Sequence, residues 1–518
     1  MRWSPRLAGF ILAVAVVNAV LYHWPLYAFV IANVDRSSFG GLLTLVTVFF
    51  LVTFVTALLL SLLSLISLRL VKVTCMVAAP CSALAIYFVQ AYGVVLDKSM
   101  MGNLFNTDVA EAGSLFHPRL LLYLLLLGAL PCWLLSRVQI QHNRRLQRAG
   151  FALVILVVGV GWAYATSKTW PWIDQNSKRL GGMTMPWSYV INAPRYLVGR
   201  LAPREQALLP PATFVANDKT IVFLVIGEAA RAQDFSLYGY ARLTNPRLAE
   251  DGVVALAHTR ACSTYTTASV LCILSHLEGG RQAGWEPLPS YLQRQGLDVI
   301  WRTTNWGEPP LKVQTLERGD DLRKGCEGEG CDHDEVLLRG LAARIRSSAR
   351  DKIFVVLHAN GSHGPSYYSK YPPAFEVFKP VCKSVELHQC TSETLVNAYD
   401  NTILYNDEVL HRAIGVLKEF PQAATMLMYI SDHGESLGEY GLYLHGTPYS
   451  IAPDVQKDVP FLVWMSEAFK KKKTIAMSQR APEANHSQAN VFHSVMGAFD
   501  MRSEVYQPQL DLFSGDAK

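Results

Sequence analysis

Residues 221–226 read Ile-Val-Phe-Leu-Val-Ile and run straight into Gly227-Glu228. Two more apolar, strand-like runs end the same way. Residues 353–357 (IFVVL) lead into His358, with His363 close behind, and residues 426–430 (MLMYI) lead into Ser431-Asp432-His433-Gly434. In an open parallel sheet, ligands bind just beyond the carboxyl ends of the strands. Acidic and imidazole groups delivered there by separate strands are what a catalytic metal site requires. Glu228, Asp432, His433 and His363 are therefore candidate site residues, and Thr266 and His445 join them below.

From residue 220 onward, strand-like runs alternate with helical stretches. Further strand candidates are 253–257, 298–301 and 460–464. Leu395, Tyr399, Ile403, Leu410, Ile414 and Leu417 fit the core face of one long helix. This alternation predicts an α/β sandwich with a mostly parallel sheet over 219–518.

The first third of the chain has a different character. Five apolar blocks, at 7–32, 41–68, 73–95, 120–136 and 151–166, predict an N-terminal α-helical membrane domain of five transmembrane helices over 1–167. Basic residues gather before the first block (Arg2, Arg6), between the second and third (Arg69, Lys72), and between the fourth and fifth (Arg137, Arg144, Arg145, Arg148). Five spans put all three groups on one side, the cytoplasmic one, and the large C-terminal domain on the other. The first block could be read as a signal peptide, but it continues past Trp24 without a clear small-residue cleavage site, which favours an uncleaved anchor.

Residues 168–218 carry Trp170, Trp172, Trp187, Tyr189 and Tyr196 among several prolines. They read as an interfacial linker, with a short helix near Trp187–Leu201. Asn103, Thr107 and Glu111 are spaced by four residues and share a helix face, either a solvated one or part of a lipid headgroup site. The net charge of +5 is small for 518 residues, and many basic residues flank apolar spans. Nothing here argues for nucleic-acid binding.

Cys75, Cys81 and Cys132 lie in predicted spans. The other six cysteines form close pairs, Cys262/Cys272, Cys326/Cys331 and Cys382/Cys390. In an extracytoplasmic domain they read as three disulfides closing short loops.

The loop Cys262-Ser-Thr-Tyr-Thr266-Thr-Ala-Ser-Val-Leu-Cys272 is rich in hydroxyls. Metal coordination can activate a threonine hydroxyl as a nucleophile, and a loop entering a helix offers N–H groups to phosphate. On composition alone, Thr264, Thr267 and Ser269 compete equally with Thr266.

Here the chain resembles the lipid A phosphoethanolamine transferases, the group that includes the mobile colistin-resistance enzymes. The matching stretches are Gly227-Glu-Ala-Ala-Arg-Ala232, Phe235-Ser-Leu-Tyr-Gly-Tyr240, the Cys262–Cys272 loop, His358-Ala-Asn-Gly-Ser-His-Gly-Pro365, Asn397-Ala-Tyr-Asp-Asn401 and Ser431-Asp-His-Gly-Glu-Ser-Leu-Gly438 with Leu444-His-Gly446. Their order and approximate spacing match as well. The resemblance implies an alkaline-phosphatase-like fold with one zinc ion expected and space for a second. It implies Glu228, Thr266, Asp432 and His433 as metal ligands and Thr266 as the catalytic nucleophile. It also implies that His363 and His445 hold the substrate phosphate or a second zinc, and that Asn103, Thr107 and Glu111 contribute to a lipid-facing substrate site. Ser263, Leu271 and Ala229 depart from residues common in the family, changing loop shape while removing no chemical group.

The expected reaction transfers phosphoethanolamine from phosphatidylethanolamine to lipid A or the lipopolysaccharide core through a phosphoethanolamine–Thr266 intermediate, implying resistance to polymyxins. The expected location is the bacterial inner membrane, multi-pass, with the catalytic domain in the periplasm, as a monomer. Rival readings on the same fold are a glycerophosphate transferase like the lipoteichoic acid synthases, or a phosphonate or sulfate ester hydrolase. A non-catalytic lipid-headgroup sensor is a rival of a different class.

Overall fold

A computed structural model of the chain describes residues 4–106, 113, 115–201, 206–216, 218–278, 284–476, 480 and 483–514. Its contacts divide the chain into two units, one comprising Met1–Leu104 and Phe116–Leu201, the other including Ala202–Lys518.

The first unit is helical. Helices Phe39–Ile66, Leu68–Tyr92, Pro118–Arg137 and Arg145–Ala165 are each long and apolar enough to cross a membrane. The first predicted span is not one straight helix. It is a pair, Leu7–Tyr22 and Trp24–Asn33, bent by 66° at His23, so the count is four spans, or five if the bent pair is one. Pro25 follows the break and occupies the first turn of the second helix, where its missing N–H costs nothing. Ser67 separates the second and third apolar helices and caps the latter by accepting a hydrogen bond from the Arg69 backbone N–H. A π-helical turn at Leu124–Ala129 interrupts Pro118–Arg137. Residues 168–218 begin with short helices at Trp170–Gln175 and Ser177–Gly182, followed by Trp187–Leu201.

The second unit is built on one seven-stranded sheet. Its strands, numbered here in chain order, are β1 Thr220–Gly227, β2 Val254–Leu256, β3 Asp298–Thr303, β4 Thr315–Arg318, β5 Lys352–His358, β6 Ala424–Ser431 and β7 Phe461–Met465. Their spatial order is β2-β7-β6-β1-β5-β3-β4. Strands β6, β1, β5, β3 and β4 run parallel, and β7 runs antiparallel to both of its neighbours. The sheet is mixed but mostly parallel. Edge strand β4 (Thr-Leu-Glu-Arg) escaped the sequence reading because it is short and half polar.

Strand residues alternate between two cores. Val222, Leu224, Ile226, Met426 and Met428 face one layer, which contains Leu288, Phe492 and Val495. Ile221, Phe223, Val225, Leu427 and Tyr429 face the other, where Leu395, Ile403, Leu410 and Ile414 of helix Ser392–Lys418 cover them. The result is a helix–sheet–helix sandwich. Three disulfides join Cys262 to Cys272, Cys326 to Cys331 and Cys382 to Cys390.

Candidate active site

Register decides which side chains meet. On adjacent strands Gly227 pairs with Ser431, and Ile226 pairs with His358. The residues just beyond, Glu228 and Asp432, therefore leave the sheet side by side. A side chain at Gly227 would collide with the Tyr429 ring, so the strand closes on glycine. Ala229 follows with φ +55°, a conformation rare outside glycine, and its backbone N–H donates to Asp432 Oδ1 at 3.1 Å.

Thr266 opens helix Thr266–Ile273. Its Oγ1 lies 3.3 Å from Glu228 Oε2, 3.4 Å from Glu228 Oε1 and 3.4 Å from His433 Nε2. His433 Nε2 is 3.2 Å from both Glu228 Oε1 and Asp432 Oδ2. All four residues are buried. Thr264, one of the composition-level competitors, donates its hydroxyl to the Thr447 carbonyl. Ser269 donates to the Ser263 carbonyl.

The donor set fits a cation. Asp432 Oδ1 accepts two backbone N–H groups, from Ala229 and from His433 at 2.7 Å. Asp432 Oδ2 is buried, 3.2 Å from His433 Nε2, and has no other hydrogen-bond partner among the described residues. His433 Nδ1 lies 2.9 Å from the Gly434 carbonyl, which fixes the proton on Nδ1 and turns Nε2 toward the two carboxylates and the Thr266 hydroxyl. Glu228, His433 and His445 can bring one ligand atom each within 4.8 Å of one another.

The protonation pattern reflects this crowding. Burial and the neighbouring Glu228 charge push the Asp432 carboxyl well above its usual range. Burial opposes charge on Glu228 too, but His433 outweighs it and holds that carboxyl well below its ordinary value. Burial also works against a charged His433, yet Asp432 and Glu228 raise it to about 10. Burial drives His363 and His445 down to about 3, leaving both neutral.

His363 and His445 flank the cluster. The His445 ring lies 4.1 Å from that of His433 and 5.5 Å from that of His363, centroid to centroid. Ser362, next to His363, is pinned to helix Ser392–Lys418 by Thr402 at 2.7 Å and Asn406 at 3.2 Å. Asn103 lies in helix Lys98–Asn106 of the first unit, whereas Thr107 and Glu111 fall outside the described residues.

Three supporting residues had no signal in the sequence reading. Asn305, just past β3, donates to Glu228 Oε2 at 2.7 Å and to the Ala359 carbonyl at 3.0 Å. Gln488 donates to the carbonyls of Asp432 (2.6 Å) and Ser431 (3.2 Å) and accepts from the Cys262 N–H at 3.0 Å, tying the Cys262–Cys272 loop to the Asp432 loop. Glu435, within the Ser431–Gly438 stretch, is buried beside His445 Nδ1 at 3.3 Å.

A threonine at a helix N-terminus, facing carboxylates and imidazoles beyond the ends of parallel strands, defines an enzyme of the alkaline-phosphatase-like class, which transfers or hydrolyses phosphate and sulfate esters. The Sulfatase family matches residues 220–501, and the family described as Phosphoethanolamine transferase EptA/EptB matches residues 51–201. The phosphoethanolamine transferase EptA of Helicobacter pylori is 38% identical over 509 residues, spanning 96% of this chain and 95% of that protein. The phosphatidylethanolamine transferase Mcr-1 of Escherichia coli is 31% identical, covering 74% of this chain and 76% of its own. The integral membrane lipooligosaccharide phosphoethanolamine transferase A of Neisseria meningitidis superposes with a TM-score of 0.90 at 26% identity, covering 99% of both chains. The chain belongs to the phosphoethanolamine transferase family.

Proposed function

We propose that this enzyme moves phosphoethanolamine from phosphatidylethanolamine to lipid A, or to the lipopolysaccharide core, through a covalent intermediate on Thr266. The observation carrying this reading is the buried Thr266 hydroxyl, held 3.3–3.4 Å from Glu228 and His433 at the head of a helix. Relatives named as phosphoethanolamine transferases supply the transferred group, and a 26% identical Escherichia coli relative is named a Kdo(2)-lipid A phosphoethanolamine 7''-transferase.

Glu228, Thr266, Asp432 and His433 would hold one zinc ion. When bound, it lowers the pKa of the Thr266 hydroxyl and withdraws charge from a phosphoryl oxygen. The Glu228 carboxylate stands within reach of the hydroxyl proton. Thr266 Oγ1 attacks phosphorus, the bond to the glycerol oxygen breaks, and diacylglycerol leaves with a proton. The N–H groups of the first turn of helix Thr266–Ile273 would offer hydrogen bonds to the phosphate. His363 and His445, kept neutral by burial, can donate hydrogen bonds to its oxygens. An acceptor phosphate or hydroxyl oxygen then attacks the same phosphorus and frees Thr266.

Both substrates are lipids, so the catalytic domain (219–518) works from a membrane anchor (1–167) and an interfacial segment (168–218). We place it in the periplasm, with the anchor in the bacterial inner membrane. Asn103, Thr107 and Glu111 are proposed to meet the lipid substrates. The added amine makes the cell surface less negative and weakens its attraction for polymyxins.

The test is to incubate the purified full-length protein with phosphatidylethanolamine and no acceptor, then to analyse the Thr266 peptide by mass spectrometry. A phosphoethanolamine adduct in the native chain, missing in Thr266→Ala, is expected. A glycerophosphate adduct formed from phosphatidylglycerol instead would transfer the assignment to the lipoteichoic-acid-synthase-like reaction. No adduct and no diacylglycerol release would overturn the proposal.

A further inference from the structure

The helical unit contains a groove of about 720 Å³, apart from the residues gathered around Thr266. Its walls include Val14 and Val17 of the first helix, Leu60 and Leu63 of helix Phe39–Ile66, and Leu134 of helix Pro118–Arg137. Between Phe10 and Tyr22 the groove follows one helix for about 18 Å. That is roughly the depth of one leaflet in a hydrocarbon core of about 30 Å.

Two of the polar side chains along it are already engaged within the bundle. Asn18 donates to the Met185 carbonyl at 3.2 Å, and the Tyr22 hydroxyl donates to the Leu127 carbonyl at 2.5 Å. Such mainly apolar walls suit an acyl chain.

One end differs. Arg137 lines the groove at the last turn of its helix. Its guanidinium lies over the Trp133 ring, 5.4 Å from the centroid, and makes no ion pair or hydrogen bond among the described residues. Lys72 stands beside it, its amine on the Ser136 and Val138 carbonyls at 3.1 and 2.9 Å. Gln141, just beyond, is bonded to the carbonyls of Ser4 and Pro5, which brings the segment carrying Arg6 to the same end. This is the basic side that the positive-inside pattern assigns to the cytoplasm. Basic pockets between helices on that side attract anionic headgroups.

We infer that the groove holds an anionic glycerophospholipid of the cytoplasmic leaflet, with an acyl chain along Val14 and Val17 and the phosphate against Arg137. The positive-inside pattern puts this headgroup on the cytoplasmic side, whereas the donor lipid is proposed to react on the periplasmic side, so the two sites are separate.

The test uses full-length protein in nanodiscs of phosphatidylcholine with and without phosphatidylglycerol, read by native mass spectrometry. The native chain should retain phosphatidylglycerol in preference to phosphatidylcholine. Arg137→Gln should weaken that preference about fivefold (~1 kcal/mol), the contribution of one basic residue near an anionic surface. Arg137→Lys should keep it. Ala13→Trp, at an exposed wall position, should displace either lipid by filling the groove. Equal retention of both lipids by the native chain overturns the inference. So does an unchanged preference in Arg137→Gln, or full occupancy in Ala13→Trp.

Discussion

Helix Pro118–Arg137 and strand β1 are both almost wholly apolar, yet they meet opposite surroundings. Only 6% of the helix's apolar window is buried inside the protein, whereas all eight residues of β1 are buried. Length separates them. Twenty apolar residues as a helix satisfy their own backbone and can face lipid. Eight as a strand cannot, so they need neighbours on both edges and cover on both faces. The lesson extends to polar groups. The strands lead into Glu228, His358 and Asp432, and because the sheet is buried, those groups emerge buried and must find partners there: Asn305 for Glu228, Thr303 for His358, and backbone N–H groups for one oxygen of Asp432.

The sharpest way to break this contrast is Thr266→Ala. Turnover of phosphatidylethanolamine should fall about 10⁴-fold or more, as removal of a covalent nucleophile does elsewhere, while the protein stays folded in detergent. Dialysis against a chelator should bring activity to the same floor and Zn²⁺ should restore it; activity surviving metal removal would refute the cation reading of the Asp432 pocket.

Next in size is the core beneath the site. Phe223→Ala, at a fully buried β1 position, should destabilise the catalytic unit by about 3–5 kcal/mol, read from its denaturation midpoint. A loss below about 1 kcal/mol would mean that the sheet is not packed on that face.

Gln488→Ala should lower kcat about 10–100-fold, the range seen when a support behind metal ligands is removed, with KM for phosphatidylethanolamine little changed. An unchanged kcat would show that the Cys262 and Asp432 loops hold each other without the bridge.

The smallest effect closes the comparison. Leu125, 61% exposed on the lipid-facing side of Pro118–Arg137, should tolerate alanine within about 0.5 kcal/mol. A loss comparable to that of Phe223→Ala would mean that this helix face is covered by protein.

The sequence alone determined a good deal. Long apolar blocks marked the membrane helices, although the pattern could not foresee the bend at His23, because hydropathy counts residues and says nothing about axis direction. Short apolar runs ending in Glu228, His358 and Asp432 located the strand ends where chemistry collects. The spacing of the cysteines paired them, since short loops leave few partners. Composition could not choose Thr266 among its hydroxyl neighbours; resemblance named it, and in the structure Thr264 and Ser269 are occupied by backbone carbonyls. Only tertiary structure decided that Asn305 supports Glu228 and that Gln488, 226 residues from Cys262, joins the Cys262 and Asp432 loops, for hydrogen bonds across such separations leave no local pattern. Periodicity and run length are properties of neighbours along the chain. A site is a property of neighbours in space, set here by the register that pairs Gly227 with Ser431 and Ile226 with His358.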